Sequence, residues 1–147
     1  MTWKTVAFNE LTLEELYQMM IVRQEVFVVE QNCPYLDADD KDQKCFHVLG
    51  YENNDLIAYA RLVPKGISYK NSVSIGRILT TEKGRGKGIG KSLVQFSIDE
   101  TKRFFNTTEI TISAQCYLIK FYESFGFKIV GEEYLEDDIP HIKMLLS

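Results

Sequence analysis

The sequence predicts an α+β fold, with one mixed β-sheet that carries helices on its faces. Three observations lead to this prediction. The 147 residues divide into segments in the order β-α-β-β-β-α-β-α-β-β, without an internal repeat or a linker. A strand, a long helix and another strand indicate a right-handed parallel crossover, whereas the closely spaced strands before them indicate an antiparallel meander. The length fits a single domain, to which we assign residues 1–147.

The N-terminal part contains a strand and a helix. The strand covers Thr2–Phe8, where side chains alternate between two faces. The helix runs from Leu13 to about Val29. Thr12 can cap it and Glu15 lies three residues later, which is the capping-box pattern. This length is unusual for one straight helix, so we expect a bend or a second short helix.

An acidic loop follows over Glu30–Asp42, with Asp37, Asp39, Asp40 and Asp42 close together. Charge clusters are most often solvated surface, and this is the first interpretation. The second is a rim that attracts a cationic amine, to which the acidic residues at 132–133 and 136–138 would contribute. Both interpretations stand at this point.

Three strands form the predicted meander. They cover Cys45–Tyr51, Leu56–Val63 and Val73–Leu79. Asn53 and Asn54 tolerate left-handed turn geometry, so the first two strands should join in a hairpin. The third strand adds antiparallel to the second and leads into a glycine-rich turn.

The remaining elements complete the sheet. A helix from about Lys87 to Phe105 has an apolar stripe that should pack on the sheet, with Ile89, Leu93, Val94, Phe96 and Ile98. A strand over Glu109–Ala114 alternates cleanly and is the expected partner of the crossover. The last elements are a short helix over Cys116–Phe125 that ends at Gly126, and strands over 126–131 and 141–146.

Composition and charge exclude several classes of function. A net charge of −4 argues against a general nucleic-acid surface. No apolar run approaches the roughly 20 residues of a membrane span, and the first residues lack the pattern of a signal peptide. We therefore expect a cytoplasmic protein without a nucleic-acid or membrane partner. Cys33, Cys45 and Cys116 form no C-x-x-C pair, which argues against a disulfide framework and structural zinc, and we expect no metal.

The turn between the third strand of the meander and the long helix has the composition of an anion-binding loop. It reads Gly84-Arg85-Gly86-Lys87-Gly88-Ile89-Gly90. Glycine lets backbone N–H groups approach an oxyanion closely, and the first turn of the next helix offers free N–H groups and partial positive charge. A mobile connection with solvated cations is the alternative. The regular spacing and the helix directly after it favour the anion loop.

Two well-known phosphate loops do not fit this turn. For a Walker loop that ends in Gly90-Lys91-Ser92, Gly84 lies one place too early. For the dinucleotide fingerprint, Ile89 stands where the third glycine belongs. The pattern that remains is R-x-x-G-x-G, formed by Arg85, Gly88 and Gly90. It resembles the acyl-CoA diphosphate loop of the GNAT N-acetyltransferases, which lies at the same strand-to-helix junction.

A second motif makes this resemblance specific. Residues 122–127 contain Y-x-x-x-G-F, which GNAT acetyltransferases also carry. Further stretches are similar to the ElaA-type branch of that superfamily: Phe27–Gln31, the acidic loop, Arg61, Gly76-Arg77, Ala114-Gln115, Phe121-Tyr122 and Glu136–His141. Asp138 stands where that branch has Gly, at a predicted turn.

The resemblance implies a GNAT fold, with a mostly antiparallel sheet whose fourth and fifth strands splay apart to admit the pantetheine arm of acetyl-CoA. The arm would lie along the end of the fourth strand, where an N–H near Leu79 would stabilise the carbonyl oxyanion. The diphosphate would bind the glycine turn. The implied cofactor residues are Ile78, Leu79, Thr80, Arg85, Gly86, Lys87, Gly88, Ile89, Gly90, Lys91 and Ser92.

The implied activity is an acetyl-CoA-dependent N-acetyltransferase that acts in a ternary complex. The acceptor would be a primary amine of a small molecule or peptide, and the protein a monomer or homodimer. The resemblance nominates Tyr122 as the general acid toward the departing thiolate, a role that a phenol with an ordinary pKa can fill. The alternative for Tyr122 is an aromatic core residue. Glu30, Glu136 and His141 are candidate bases for the amine proton.

Three further residues are candidates for contact with the acceptor. Arg61 and Arg77 either anchor a substrate carboxylate or pair with the acidic loop, and Gln115 is the third. A competing function is a non-catalytic sensor of CoA or another nucleotide, which a sheet without an open amine cleft would favour. A P-loop nucleotidase is disfavoured by the misfit of one residue and by the absence of an obvious Mg²⁺-binding strand.

Overall fold

The computed structural model describes residues 1–147 and confirms the predicted fold class. One eight-stranded sheet has the order β1-β2-β3-β4-β5-β8-β6, and β7 pairs with β8 beside it. The strands are β1 Thr2–Ala7, β2 Phe46–Glu52, β3 Asp55–Val63, β4 Val73–Thr80, β5 Ile110–Gln115, β6 Lys128–Ile129, β7 Tyr134–Glu136 and β8 Ile139–Leu146. All neighbouring pairs are antiparallel except β4 and β5.

Helix α1 covers Leu13–Arg23 and begins at the predicted capping box. The Thr12 hydroxyl accepts a hydrogen bond from the Glu15 backbone N–H at 3.0 Å, and the Glu15 carboxylate accepts one from the Thr12 N–H at 2.9 Å. A change after the first part of this helix was expected, as a bend or a second short helix. The structure instead continues α1 directly as a π-helix over Gln24–Glu30. The wider turn leaves Val26 buried while Glu30 reaches the glycine turn.

Two hydrophobic clusters lie on opposite faces of the sheet. Helix α2, Ile89–Phe105, covers the larger one with Ile89, Leu93, Val94 and Ile98, and Phe96 is partly buried against it. Helix α1 covers the smaller one, which contains Met19, Val22, Val26, Leu49, Leu56, Tyr59 and Leu79. Alternation along β3 produces this division, since Ala58 and Ala60 face α2 whereas Tyr59 faces α1. No helix combines the length and apolar character that crossing a membrane requires.

The parallel pair β4 and β5 separates after a short contact. Only Val73 with Ile110 and Ser74 with Thr111 are paired. Beyond these residues, 75–80 of β4 and 112–115 of β5 have no ladder between them, although each strand remains paired on its other side. The predicted splay of strands 4 and 5 is therefore confirmed.

The C-terminal part differs in detail from the sequence prediction. The expected helix over Cys116–Phe125 is a 3₁₀ turn over Cys116–Leu118 followed by the short α3, Ile119–Glu123. The strand expected over 126–131 is only two residues long, and β7 was not predicted. Short exposed strands of this kind carry little hydrophobic periodicity, so only their pairing with β8 defines them.

The turn between β7 and β8 contains the residue that departs from the branch pattern. Asp137 has φ 50° and Asp138 has φ 63°, so both central residues are left-handed. This is the requirement of a type I′ hairpin turn, and Asp tolerates that conformation better than most residues. Asp at position 138 therefore preserves the hairpin that glycine would form.

Candidate active site

The splay of β4 and β5 opens a cleft of about 1050 Å³. Both strands line it, and β7, β8, α3, the π-helix and the glycine turn contribute side chains. The predicted site residues that line it are Glu30, Arg61, Arg77, Ile78, Leu79, Thr80, Arg85, Gly90, Gln115, Tyr122 and His141. The others, Gly86, Lys87, Gly88, Ile89, Lys91 and Ser92, belong to the glycine turn and the start of α2 but not to the wall of the cleft.

Strand β4 contains a bulge where it borders the cleft. Tyr59 of β3 pairs with Leu79, and Arg61 pairs with Gly76, so Arg77 and Ile78 together face a single residue of β3. Arg77 has φ 49°, a left-handed conformation that is rare for a residue with a long side chain. A bulge of this kind bends the strand and re-aims its backbone groups.

The ladder between β3 and β4 shows which amides face the cleft. The Thr81 N–H donates to the Ile57 carbonyl at 2.8 Å. Because every second residue of an antiparallel ladder bonds to the same neighbour, the backbone groups of Leu79 also point at β3. Thr80 then directs its N–H and carbonyl away from β3, and its carbonyl accepts from Arg85 Nη2 at 3.0 Å. Ile78 lies opposite Ala60, whose backbone groups face β2. The amides of Ile78 and Thr80, rather than that of Leu79, are therefore directed at the cleft.

The glycine turn leaves the start of α2 open. Gly86 has φ 80° and Gly88, the N-cap of α2, has φ 74°, so both occupy the region that glycine adopts without strain. The N-cap has no side-chain hydrogen bond, and the first turn of α2 contains no acidic residue. No heavy atom lies within 4 Å of the Cβ position at either glycine. The turn therefore presents free N–H groups on an open surface, as an anion site requires.

Both cationic side chains of this turn form ion pairs with glutamates. Arg85 donates to a Glu30 carboxylate oxygen at 2.6 Å, and Lys87 Nζ lies 3.0 Å from a Glu52 oxygen. All four side chains are partly exposed, so these contacts are exchangeable surface pairs. Glu30 is thereby held at the glycine turn.

Tyr122 opens onto the cleft only through its hydroxyl. Its ring is buried and makes edge contacts with Phe121 and Phe127, at centroid distances of 5.3 Å and 6.1 Å. The hydroxyl makes no hydrogen bond within the protein and is not enclosed, so its oxygen reaches the cleft. Burial, with a smaller contribution from Tyr117, raises the pKa of Tyr122 well above its usual value. The phenol therefore carries its proton before the reaction.

His141 presents one ring nitrogen as an acceptor. Its Nδ1 lies 2.7 Å from the Ile139 carbonyl, which can only accept, so in the neutral ring Nδ1 carries the hydrogen and Nε2 has the lone pair. A Glu136 oxygen lies 3.5 Å from Nε2, where it would pair with the protonated ring. The ring stacks on Tyr134 at 6.1 Å, and the Tyr134 hydroxyl is hydrogen-bonded to Ser113. Sequence reasoning did not identify Tyr134, which lies in a strand too short to show a pattern.

The acidic loop is a structural element, which corrects the interpretation as solvated surface. Asp37 and Asp42 are buried around Arg23, whose side chain is completely inaccessible to solvent. Arg23 Nε lies 2.7 Å from Asp37, and Nη1 lies 2.8 Å from Asp42. Arg23 was not among the predicted residues, although its position between Val22 and Val26 on the buried face of the helix was a signal.

The same aspartates bind the two arginines that were candidates for substrate contact. Arg61 contacts Asp39 at 2.7 Å and Asp42 at 2.9 Å, and Arg77 contacts Asp37 at 2.9 Å. Of the two predicted alternatives, the structure shows pairing with the acidic loop. Burial alone would raise the pKa of Asp39, but its contacts with Arg61 and Arg77 hold that pKa well below its usual range.

The segment of residues 31–41 crosses the cleft and is fixed on the far side as well. The side chains of Gln31 and Gln115 are hydrogen-bonded at 3.4–3.5 Å. Cys33 Sγ lies 3.3 Å from the Asp137 carbonyl, and the Tyr35 hydroxyl donates to Asp138 at 2.6 Å. This segment is therefore a roof tied to both walls of the cleft.

The chain matches known proteins over nearly its whole length. A family model described as an acetyltransferase (GNAT) domain matches residues 10–147. The protein ElaA of Escherichia coli is 40% identical over 144 residues, which are 97% of this chain and 94% of ElaA. The crystal structure of ElaA has a TM-score of 0.92 at 38% identity, and each chain is covered to 99%.

A second solved structure gives the same result. An acyl-CoA N-acyltransferase from Pseudomonas aeruginosa has a TM-score of 0.93 at 38% identity, with 99% of each chain covered. Family model, sequence relatives and structures agree with the splayed sheet, the glycine turn and the open cleft. The chain therefore belongs to the GNAT acetyltransferase family, in its ElaA-type branch, and is an acyl-CoA-dependent N-acyltransferase.

Proposed function

We propose that the protein transfers the acetyl group of acetyl-CoA to a primary amine of a small molecule or peptide, by direct attack in a ternary complex. The observation that carries the proposal is the cleft between β4 and β5. Backbone amides without a ladder partner line it, the open glycine turn lies at its edge, and the Tyr122 hydroxyl reaches into it. Each of these supplies a separate requirement of acyl transfer.

The cofactor would bind by backbone groups. The pantetheine arm would lie along Ile78–Thr80, whose outward backbone groups lack a ladder partner on the side of β5. The diphosphate would accept from the N–H groups of residues 86–91, in the glycine turn and the start of α2. The Ser92 N–H already donates to the Gly88 carbonyl at 3.2 Å. Arg85 would exchange the Glu30 carboxylate for a diphosphate oxygen, which is a low-cost exchange at an exposed ion pair.

The thioester carbonyl would lie against the bulge of β4. An N–H of Ile78 or Thr80 would donate to its oxygen as negative charge develops during attack. The loss of one such donor costs about 2.7–4 kcal/mol in other enzymes. The fixed geometry of the cleft would supply a further part of the acceleration by orienting the amine.

The proton steps would use His141 and Tyr122. As the amine nitrogen bonds to the carbonyl carbon, its proton passes to His141 Nε2, and the resulting imidazolium pairs with Glu136. The C–S bond then breaks, and the thiolate takes the proton of the Tyr122 hydroxyl. Glu30 is a weaker candidate for the base, because Arg85 already occupies its carboxylate.

The acceptor would occupy the cleft beneath the roof segment, beside the β7–β8 hairpin. Gln115 would contact it at the end of β5, and Tyr69 and Tyr134 would provide aromatic walls. Burial, followed by the proximity of Tyr134 and Glu136, raises the pKa of Tyr69 to about 12, so its hydroxyl stays neutral. Because the roof is tied on both sides, the space favours a slender chain that ends in an amine.

Calorimetry and a screen of amines test this function. We expect binding of acetyl-CoA and CoA but not of ATP, and release of thiol when a suitable amine is added. Tyr122→Phe should reduce turnover by about 10²-fold or more while acetyl-CoA affinity is retained, since the removed proton is needed only at thiolate departure. Binding of ATP without a response to CoA would refute the proposal, and unchanged turnover in Tyr122→Phe would refute the acid role.

A further inference from the structure

The bulge in β4 requires a constraint that holds Arg77 in an unusual backbone conformation. Arg77 adopts φ 49° inside a strand, a conformation that persists only where the surroundings impose it. A Cβ at the neighbouring Gly76 would meet no heavy atom within 4 Å. Steric contact at that position therefore does not force the bulge.

Hydrogen bonds of the Arg77 guanidinium supply that constraint. Nε donates to the Asp37 carboxylate at 2.9 Å, and Nη2 donates to the Asp37 backbone carbonyl at 2.8 Å. Nη2 also approaches Asp39 at 3.4 Å, and the guanidinium lies 6.0 Å from the centroid of the Phe27 ring. Two bonds to one residue fix both position and orientation of the guanidinium.

Asp37 is itself immobilised. Its second carboxylate oxygen binds Nε of the fully buried Arg23, which also contacts Asp42. The guanidinium of Arg77 is thus attached to helix α1 through a buried pair, while its backbone forms the bulge next to Ile78. This connection runs from the roof of the cleft to the amides that face it.

We propose that Arg77 is a positioning residue for acyl transfer: its bonds with Asp37 hold the β4 bulge so that the Ile78 amide points at the thioester carbonyl. This inference rests on the proposed function. It differs from an anchor for a substrate carboxylate, because the Nε and Nη2 donors that would bind such a carboxylate already bind Asp37. A positioning role affects the chemical step for every amine, whereas an anchor affects binding of acidic acceptors alone.

Arg77→Gly separates the side chain from the backbone conformation. Glycine accepts φ 49° without strain, so this variant keeps that backbone geometry accessible while it removes the whole side chain with its guanidinium. Arg77→Lys keeps a charge but cannot reproduce the two-point contact. Arg103→Met serves as the matched control, since it removes an exposed arginine from its pair with Glu100 on α2, far from β4 in the sequence.

Turnover is the first measurement. We expect kcat to fall by about 10²-fold in Arg77→Gly, because a misplacement of 1 Å in a reacting geometry can cost that factor. The acceptor KM and the acetyl-CoA Kd should stay within about twofold, Arg77→Lys should be intermediate and the control unchanged. A raised KM for acidic amines with unchanged kcat would overturn the proposal in favour of the anchor.

Hydrogen exchange at the amides of 76–80 is the second measurement and needs no turnover. We expect faster exchange at Leu79, whose ladder bond to β3 depends on the bulge, in Arg77→Gly but not in the control. Unchanged exchange together with unchanged kcat would overturn the inference. An inactive wild type would refute the proposed function, and the exchange result would still decide whether Arg77 holds the bulge.

Discussion

The two ends of the cleft are built in different ways. At the proposed cofactor end, residues 84–92 are consecutive, and the site would be formed by their backbone N–H groups and the dipole of α2. At the acceptor end, the important contacts join residues far apart, such as Asp37 with Arg77 and Cys33 with Asp137. Backbone sites leave a mark in local sequence because they require glycine. Sites made by distant side chains leave no such mark, so a motif finds the first end and misses the second.

The largest expected effect concerns the buried arginine behind the acceptor end. Arg23→Leu removes the cation between Asp37 and Asp42 and leaves buried carboxylates with fewer partners. We expect a loss of about 3–5 kcal/mol in the free energy of unfolding, measured by urea titration. Arg103→Met should leave it nearly unchanged, because that pair lies at the surface. A small effect of Arg23→Leu would mean that the acceptor end does not depend on this network.

The second largest expected effect is the weakening of the same network by acid. Ion pairs with arginines hold the pKa values of Asp39 and Asp42 below their unfolded values, despite burial that acts in the opposite direction. Their contribution to stability is therefore complete above the unfolded pKa of about 3.9 and is lost as pH falls through the folded values. Burial also lowers the pKa of His47, so its contribution to stability is lost as pH falls below about 6.5. We therefore expect urea midpoints to begin to fall between pH 7 and 5 and to fall further below about pH 4. Arg23→Leu should reduce this dependence.

At the cofactor end, replacement of two glycines by alanine should change stability in opposite directions. Gly88→Ala forces a Cβ into φ 74° and should lower stability by about 1–2 kcal/mol. Gly90→Ala lies inside α2, where alanine is favoured over glycine by about 1 kcal/mol, and its Cβ would only touch a Thr80 methyl group at 4.0 Å. Thermal unfolding of the two variants would measure the difference. Equal effects would mean that the left-handed N-cap is not a requirement of the turn.

The smallest expected effect is on acetyl-CoA affinity and concerns the ion pair between Glu30 and Arg85. Glu30→Gln releases Arg85 from its surface ion pair, so acetyl-CoA should bind more tightly by about 0.2–1 kcal/mol in calorimetry. Glu52→Gln is the matched variant, because it releases Lys87 from a similar pair. A collapse of kcat in Glu30→Gln, with unchanged affinity, would instead identify Glu30 as the base and contradict the assignment to His141.

The features of the fold and of the site that sequence reasoning located share a physical property. The glycine turn, the capping box at Thr12 and the strand-helix-strand crossover each depend on local chain geometry, so residue type and spacing predict them. The sequence left the role of the acidic loop open, because an aspartate beside an arginine of another element has the same local sequence as one in water. The π-helix after Arg23 was also missed, since its hydrogen-bond shift has no distinct hydrophobic period.

The sequence by itself determined the fold class, the glycine turn before α2 and the family membership suggested by its two motifs, because these depend on backbone conformation encoded within short segments. Only the tertiary structure decided that Asp37, Arg77 and Arg23 form one buried network, that the bulge directs Ile78 toward the cleft, and that His141 offers Nε2. Burial and pairing of charged groups are properties of elements brought together by folding, and for that reason no local pattern contains them.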